Sequence, residues 1–499
     1  MMKYTIGIDL GTQSSKGVLV SPTGEIVTQA TVQYLPDYPQ PNWAEQDTQV
    51  WVNAFKEIVR ELMFKSAVPA SEIGTIGFAS QCGSMVPVDE HCEALDKCII
   101  WLDRRSEEQC PAIRAKIPNS EACELVGAPI SSGLRAPKIM WLRENKPEIY
   151  EKATAFLECG EFMVYHLTGA IVSDYSHASI TGLYDVAKRE WSQKMLDYTG
   201  IPIEKLPPIR PAAEIAGTIR HSIANEWGLS LDTKFVVGVG DQFGAAIGSG
   251  LVAPGDILNI MGTAEVIASI SDHAVCDKSL VLRGHLHADP RYWQIEQGAL
   301  ISGAAVRWFR DNVSRVSFDD MNALAEQSPA GANGLVFFSG MSGATSPQPN
   351  DMARGIFFGM TLGTKLGDLT RAVYEGCACG FRDSIDALQA IGLGSGDIIA
   401  AGGGINSKIW MQIKADMSGK RIRTLAESDS TPVGAAMLAC VAEGNFRDFA
   451  QCAEKMVSYG AEYEPNLANK AIYDDIYGFY RNLYYTSEPL FEHYRRFGV

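Results

Sequence analysis

The sequence predicts an α/β protein of two related halves that face each other across a cleft. Three observations carry this expectation. A strand, a Gly-Thr turn and a second strand open the chain over 4–20, around Gly11-Thr12. The same order returns over 256–267, around Gly262-Thr263. Between them, Val236-Val237-Gly238-Val239-Gly240 reads as a buried strand that stops on Asp241 and Gln242, before a small, apolar helix start. A carboxylate at the carboxyl end of a strand stands where open α/β sheets bind ligands. The plainer reading of Asp241 is a helix N-cap.

Taken in order, 4–20 is a β-hairpin, not the strand-to-helix unit of a dinucleotide fold. A third strand covers 25–34, and Asp47 caps a helix over 48–65. Buried strands follow at 73–79 and 98–102, the second running into Asp103-Arg104-Arg105. A mixed, mostly helical insertion spans about 121–231, and its Ser/His/Thr-rich stretch 173–184 reads as a loop near the cleft. In the second half, helices are expected at 302–312, 319–327 and 367–391. A strand at 397–401 then meets Gly402-Gly403-Gly404, a helix at 407–417, a short strand at 420–425 and a helix at 432–443. An aromatic-rich helix, 469–496, packs back on the body. The expected division is 1–240, 241–450 and a helical tail 451–499.

At 499 residues, 46% hydrophobic and 20% charged, the chain can bury more than one core. A net charge of −16 argues against a general nucleic-acid binder and against an anionic membrane surface. No apolar run is long enough to span a bilayer. The 11 cysteines are scattered without a CxxC pair, which suits a reducing cytoplasm. An acidic protein that handles a polyphosphate must draw on backbone N–H groups or a metal ion.

The pieces fit one chemistry. Asp9 ends a buried strand beside Gly11-Thr12, where a carboxylate can hold Mg²⁺ next to a polyphosphate. Gly262-Thr263 answers from the other half, and the glycines 402–404 allow a nucleotide to approach the backbone. With Asp241 to accept a proton, little more is needed for phosphoryl transfer to a hydroxyl. Singly, each of these signals is no more than a turn or a packing glycine. Their ordered recurrence makes the case.

The chain resembles the FGGY family of carbohydrate kinases, and within it the xylulokinase branch. The family's second signature stands as Ala353-Arg354-Gly355-Ile356-Phe357-Phe358-Gly359-Met360 and, seven residues on, Asp368-Leu369-Thr370-Arg371-Ala372-Val373-Tyr374-Glu375. Similar, too, are Asn42 to Asp47, Trp101 to Arg105, Gly240-Asp241-Gln242, Met261-Gly262-Thr263 and Gly402 to Trp410. The resemblance implies two ribonuclease-H-like domains of the actin/hexokinase type, hinged around a nucleotide- and sugar-binding cleft. It implies ATP-dependent phosphorylation of a small ketose or polyol, with Asp241 as general base and Mg²⁺ at Asp9. Gly11, Thr12, Gln13, Gly262, Thr263, Gly402, Gly403 and Asn406 would line the nucleotide. Gln81, Asp103, Arg105 and Gln242 would face the sugar, with Trp101 packed beneath them. Closure would exclude water. Family members are often dimers, which leaves a homodimer open.

Three departures bear on the substrate. The family's xylulokinases carry Gly-Gln-Met-His-Gly where this chain reads Ser80-Gln81-Cys82-Gly83-Ser84, so Cys82 and Gly83 leave a roomier pocket with fewer donors. Arg135 replaces a small residue or proline before Lys138, either to bind a polar substrate group or, as favoured here, to pair with a carboxylate. The loop Gly343-Ala344-Thr345-Ser346-Pro347 lacks a charged pair. Glycerol, erythritol, ribulose and gluconate remain alternative substrates, and a non-catalytic sensor of the same fold is the alternative from another class. His285 and His287 are read as structural.

Overall fold

Two seven-stranded sheets, one in each half, form the body of the protein. The computed structural model describes residues 2–91, 93–426, 429–494 and 496. In the first sheet, β1 (Tyr4–Leu10), β2 (Ser14–Val20) and β3 (Ile26–Gln33) form an antiparallel meander. Beside β1 runs the parallel strand β4 (Ile73–Ser80), all eight of whose residues are buried. Such a strand needs cover on both faces. β5 (Ile215–Thr218), β6 (Lys234–Val236) and β7 (Val239–Gly240) complete the sheet: β6 and β7 lie parallel to β4, and β5 antiparallel to β6.

The second sheet repeats this plan with β8 (Ile257–Met261), β9 (Ala264–Ser271), β10 (Arg283–Leu286), β11 (Trp293–Ile301), β12 (Ile398–Ala401), β13 (Ile422–Leu425) and β14 (Tyr459–Tyr463). Its order is β10-β11-β9-β8-β12-β13-β14. β8, β9 and β11 answer β1, β2 and β3, and β12 lies parallel to β8 as β4 does to β1. β13 is parallel to β12, and β14 closes the edge antiparallel, as β5 does in the first sheet. The duplication read from two Gly-Thr turns extends over both sheets.

Helix α1 (Thr48–Ser66) starts where Asp47 accepts the Gln49 N–H at 2.9 Å, and it buries Trp51, Phe55, Ile58 and Leu62. The stretch 173–184 is not a loop. Asp174 caps a short helix, α2 (Tyr175–Ser179), by accepting the Ser176 and His177 N–H groups. The expected strand 98–102 is only Cys98–Ile99. The chain turns at Ile100, whose carbonyl accepts the Asp103 N–H, while the Asp103 carboxylate takes the Ala44 and Arg105 N–H groups. The run 236–240 is broken too, because Gly238 adopts φ +87° against the Phe78 ring.

Helix α3 (Asp241–Gly248) follows β7, and α4 (Leu366–Ala390) and α5 (Lys408–Ser418) cover the second sheet. Helix α6 (Ser430–Glu443) comes from the second half yet lies on the first sheet. A Cβ on Gly77 of β4 would stand 2.0 Å from the Ala435 carbonyl, and one on Gly7 of β1 2.2 Å from that of Pro432. The two helices also cross closely: a Cβ on Gly434 would stand 1.9 Å from the Gly244 carbonyl, and one on Gly248 2.0 Å from that of Ser430. The other face of α3 joins Leu258, Ala268 and Ile399 of the second sheet. These two helices form the layer between the halves. The tail is not wholly helical, since it supplies β14 before α7 (Lys470–Tyr494) packs Tyr473, Tyr480 and Tyr484 into the second core.

Candidate active site

Asp241 is the first residue of α3, one past the end of β7, and Gly240 takes the N-cap position with no side-chain cap. Leu10 of β1, Ser80 of β4 and Gly240 of β7 share one register row at the carboxyl ends of three parallel strands. Asp9, Gln81, Cys82 and Asp241 therefore gather around one row, at the sheet end where such folds bind ligands.

The Asp241 carboxylate accepts its neighbour's Gln242 N–H at 2.8 Å. Burial pushes its pKa up to about 6, against the Gln242 N–H, the His177 charge and a hydrogen bond from the Cys82 thiol, with Glu158 adding to the rise. Asp9 is raised further, to about 8, by burial and then by the charge of Asp241, with Lys16 opposing and Asp429 adding. Its Oδ1 is buried without a hydrogen-bond partner. A desolvated carboxylate with a bare oxygen, facing a second carboxylate, fits a divalent cation.

Thr12 is tied down. Its hydroxyl accepts from Trp101 Nε1 at 2.9 Å and donates to Gln81 Oε1 at 3.4 Å, and its carbonyl accepts from Gln46 Nε2 at 2.8 Å. Gln81 is fully buried and donates to Gln46 Oε1 at 2.6 Å, so it braces the turn from behind. Trp101 does not pack beneath the sugar residues: the early turn at Ile100 leaves it 43% exposed, with its indole N–H on Thr12. Gln13 is exposed, and its carbonyl accepts the Tyr34 N–H.

Asp103 and Arg105 are buried against each other. The guanidinium bonds both Asp103 oxygens and Glu45 Oε1 (2.8 Å), and lies 3.6 Å over the Trp43 ring. Gln242 donates to the buried Glu296 of β11 at 2.9 Å, which links α3 to the second sheet. Cys82 packs on Gly240 beside Asp241, and a Cβ on Gly240 would stand 2.3 Å from its sulfur. Gly83 has φ +72°, and a Cβ there would stand 2.5 Å from the Gly133 carbonyl. A side chain at 83 is excluded by this loop, which Lys138 Nζ holds through the carbonyls of Ser132, Gly133 and Leu134. Arg135 pairs with Glu158 and Glu161, all three buried, as the carboxylate reading expects.

The second turn is open. Gly262 and Thr263 are exposed, and so are Gly403 and Asn406, with Asn406 Nδ2 on the Gly403 carbonyl at 3.2 Å. Gly402 has φ +83°, and a Cβ there would stand 2.6 Å from the Met261 carbonyl, so the triple glycine and the turn adjoin. Sequence reasoning missed Gly303, where a Cβ would stand 2.0 Å from the Gly262 carbonyl. It also missed the buried pair of Glu265 and Lys414, which ties β9 to α5 below the turn. His285 is buried and faces the Ser179 carbonyl at 3.3 Å, and His287 is buried beside it.

The model of the FGGY N-terminal domain matches residues 4–248, and that of the C-terminal domain residues 257–443. A xylulose kinase of Escherichia coli (strain K12) is 30% identical, over 88% of this chain and 90% of its own. The solved ligand-bound xylulose kinase of Lactobacillus acidophilus superposes with a TM-score of 0.93 at 25% identity, over 99% of this chain and 100% of that one. The gluconate kinase of the same organism gives the same TM-score and identity, over 100% of both chains.

Proposed function

Because the chain belongs to the FGGY family of carbohydrate kinases, and so phosphorylates a sugar with ATP, we propose that its acceptor is a small ketose of the xylulose class, with Asp241 as general base and Mg²⁺ beside Asp9. The observation that carries this reading is the meeting of Asp241 and the unpartnered Asp9 carboxylate at the ends of β7 and β1. A base poised near pH 6 is ionised at neutral pH and still basic enough to draw a proton from a hydroxyl as phosphorus approaches. Bound Mg²⁺ would neutralise charge on the phosphates. The exposed Gly262-Thr263 turn, through the Thr263 hydroxyl, takes the nucleotide with Gly402, Gly403 and Asn406. Gly11 and Thr12 turn toward it from the first half, and Cys82, Gly83, Asp103, Arg105 and Gln242 shape the sugar side. Residues 1–240 then serve mainly the sugar, and 241–450 the nucleotide. The described cysteines are all free thiols, which supports a reducing cytoplasm as the place of action.

A second reading, a sugar acid of the gluconate class, is favoured by the missing side chain at Gly83 and by the equal fold match to a gluconate kinase. One experiment separates them. ADP release from Mg-ATP is followed across xylulose, ribulose, gluconate, glycerol and erythritol, with Asp241→Asn alongside. Xylulose well above the rest, with the variant inactive, supports the first reading. Gluconate above xylulose replaces it, and an active variant removes Asp241 as the base.

A further inference from the structure

Glu296 of β11 is 5% exposed, and each of its carboxylate oxygens accepts one side-chain amide. Oε1 takes an N–H of Gln242 Nε2 at 2.9 Å, and Oε2 takes one of Gln294 Nε2 at 2.7 Å. An ionised carboxylate only accepts, so both glutamines turn their nitrogen ends to it. The strand holds the carboxylate in place, because Glu296 pairs in register with Ala268 of β9 on one side and Arg283 of β10 on the other. The two amides differ at their other ends. Gln294 is 1% exposed, and its Oε1 is buried with no hydrogen-bond partner. A sealed, unpaired carbonyl is unfavourable, yet the charge-assisted bond to Glu296 keeps the glutamine turned that way. Gln242 is half-buried next to Asp241, and among the described residues its Oε1 has no partner either.

We propose that Glu296 is a positioning residue for acceptor specificity: by taking the nitrogen end of Gln242 it points the Gln242 oxygen at the sugar, which admits a hydroxyl there and refuses a carboxylate. This rests on Gln242 facing the sugar, and it deepens the ketose reading. A free amide could serve either ligand, since it carries an acceptor at one end and two donors at the other. Glu296 removes that freedom. A sugar hydroxyl donates to the fixed oxygen. A carboxylate has no hydrogen to give, so it would meet the lone pairs of Gln242 with the negative charge of Glu296 behind them. The sugar acid is then turned away by an unpaired acceptor, not by bulk, and the space left at Gly83 does not decide the substrate.

The test compares kcat/KM for D-xylulose and D-gluconate in wild type, Glu296→Gln, Gln242→Ala and the double variant. Glu296→Gln keeps the shape but offers a donor as well as an acceptor, which lets Gln242 turn. Wild type should prefer xylulose. In Glu296→Gln the ratio of xylulose to gluconate should fall by about tenfold, chiefly through the sugar KM values, with KM for ATP unchanged. A purely structural role would weaken both sugars alike and leave the ratio. In the Gln242→Ala background, Glu296→Gln should change the ratio no further, because it acts through the glutamine. An unchanged ratio in Glu296→Gln, with Gln242→Ala altering it, overturns the role of Glu296 and leaves Gln242 at the sugar. No effect of Gln242→Ala on either sugar KM overturns the placement beneath it, and a wild type that prefers gluconate overturns the ketose reading and the refusal with it. Should Glu296→Gln not fold, a crystal structure of the wild type with D-xylulose decides: Gln242 still on Glu296 with the far end of its amide on a sugar hydroxyl supports the proposal, and Gln242 turned off Glu296 overturns it.

Discussion

The two Gly-Thr turns come from equivalent hairpins of equivalent sheets, yet they are built differently. Thr12 is held by three side chains, Trp101, Gln81 and Gln46, that reach it from separate segments of the first half. Thr263 and Gly262 are exposed: the Gly262 N–H turns back on the Ala264 carbonyl, the Ala304 N–H takes the Thr263 carbonyl, and Gly303 and the Glu265–Lys414 pair brace the turn from below. One copy has become a wall whose hydroxyl is already spent on protein. The other leaves the Thr263 side chain open at the surface. Duplication supplied the shape, and the neighbours decided what each copy is for.

Four measurements break or sharpen that contrast. Asp241→Asn belongs to neither turn and, with Asp241 proposed as the general base, should cost on the order of 10³-fold in kcat with nucleotide binding retained. Calorimetric titration with ATP beside the kinetic assay checks this. Gly303→Val forces the open turn aside, since even a Cβ stands 2.0 Å from the Gly262 carbonyl. KM for ATP should rise by about tenfold or more, with sugar binding little changed. Thr12→Val removes the hydroxyl that joins Trp101 to Gln81, a loss of about 1 kcal/mol. The expected effect is at most roughly fivefold in ATP KM, smaller than that of Gly303→Val, and an equal loss in the two variants would erase the contrast between the turns.

The smallest effect concerns stability. Asp9 titrates at about 8 in the folded chain, above its ordinary 3.8. The folded state therefore keeps a proton that the unfolded chain releases, and stability falls as pH rises from about 4 to about 8. Asp9→Asn should raise the unfolding midpoint of the ligand-free protein at pH 8, by roughly 2 °C or more, and the gain should vanish below pH 4. Thermal scans at the two pH values check the sign. An equal shift at both would show that ionisation of Asp9 is not its cause.

What the sequence made legible was local. The hairpins, Asp47 as a cap and Asp241 past a strand all rest on signals a few residues long, and both sheets follow from them. Arg135 was readable because a guanidinium without a binding role must find a carboxylate. Trp101 was not, because its place depends on Asp103 pulling the chain out of the ladder through the Ala44 N–H, an interaction that leaves no mark on local pattern. Gln81 was read as a sugar contact, but its partner Gln46 lies on a separate short strand far back in the chain. His177 stood in a stretch whose polarity suggested a loop, and only burial turns that polarity into a network. Residues joined across long separations, such as Glu265 and Lys414, stay hidden until the chain is folded.

Helix α6 has a consequence for how the protein is made. The first sheet is translated early, but the helix that covers β1 and β4 belongs to 430–443. At roughly 5–20 residues per second, a ribosome needs about ten to forty seconds to reach it after α3 has emerged. Throughout that interval the nascent first half carries an uncovered apolar groove lined by Ala79, Val236 and Phe243. A chain released early, near residue 250, would keep that groove for good, and holdase chaperones should retain such a fragment where they let the full-length chain go.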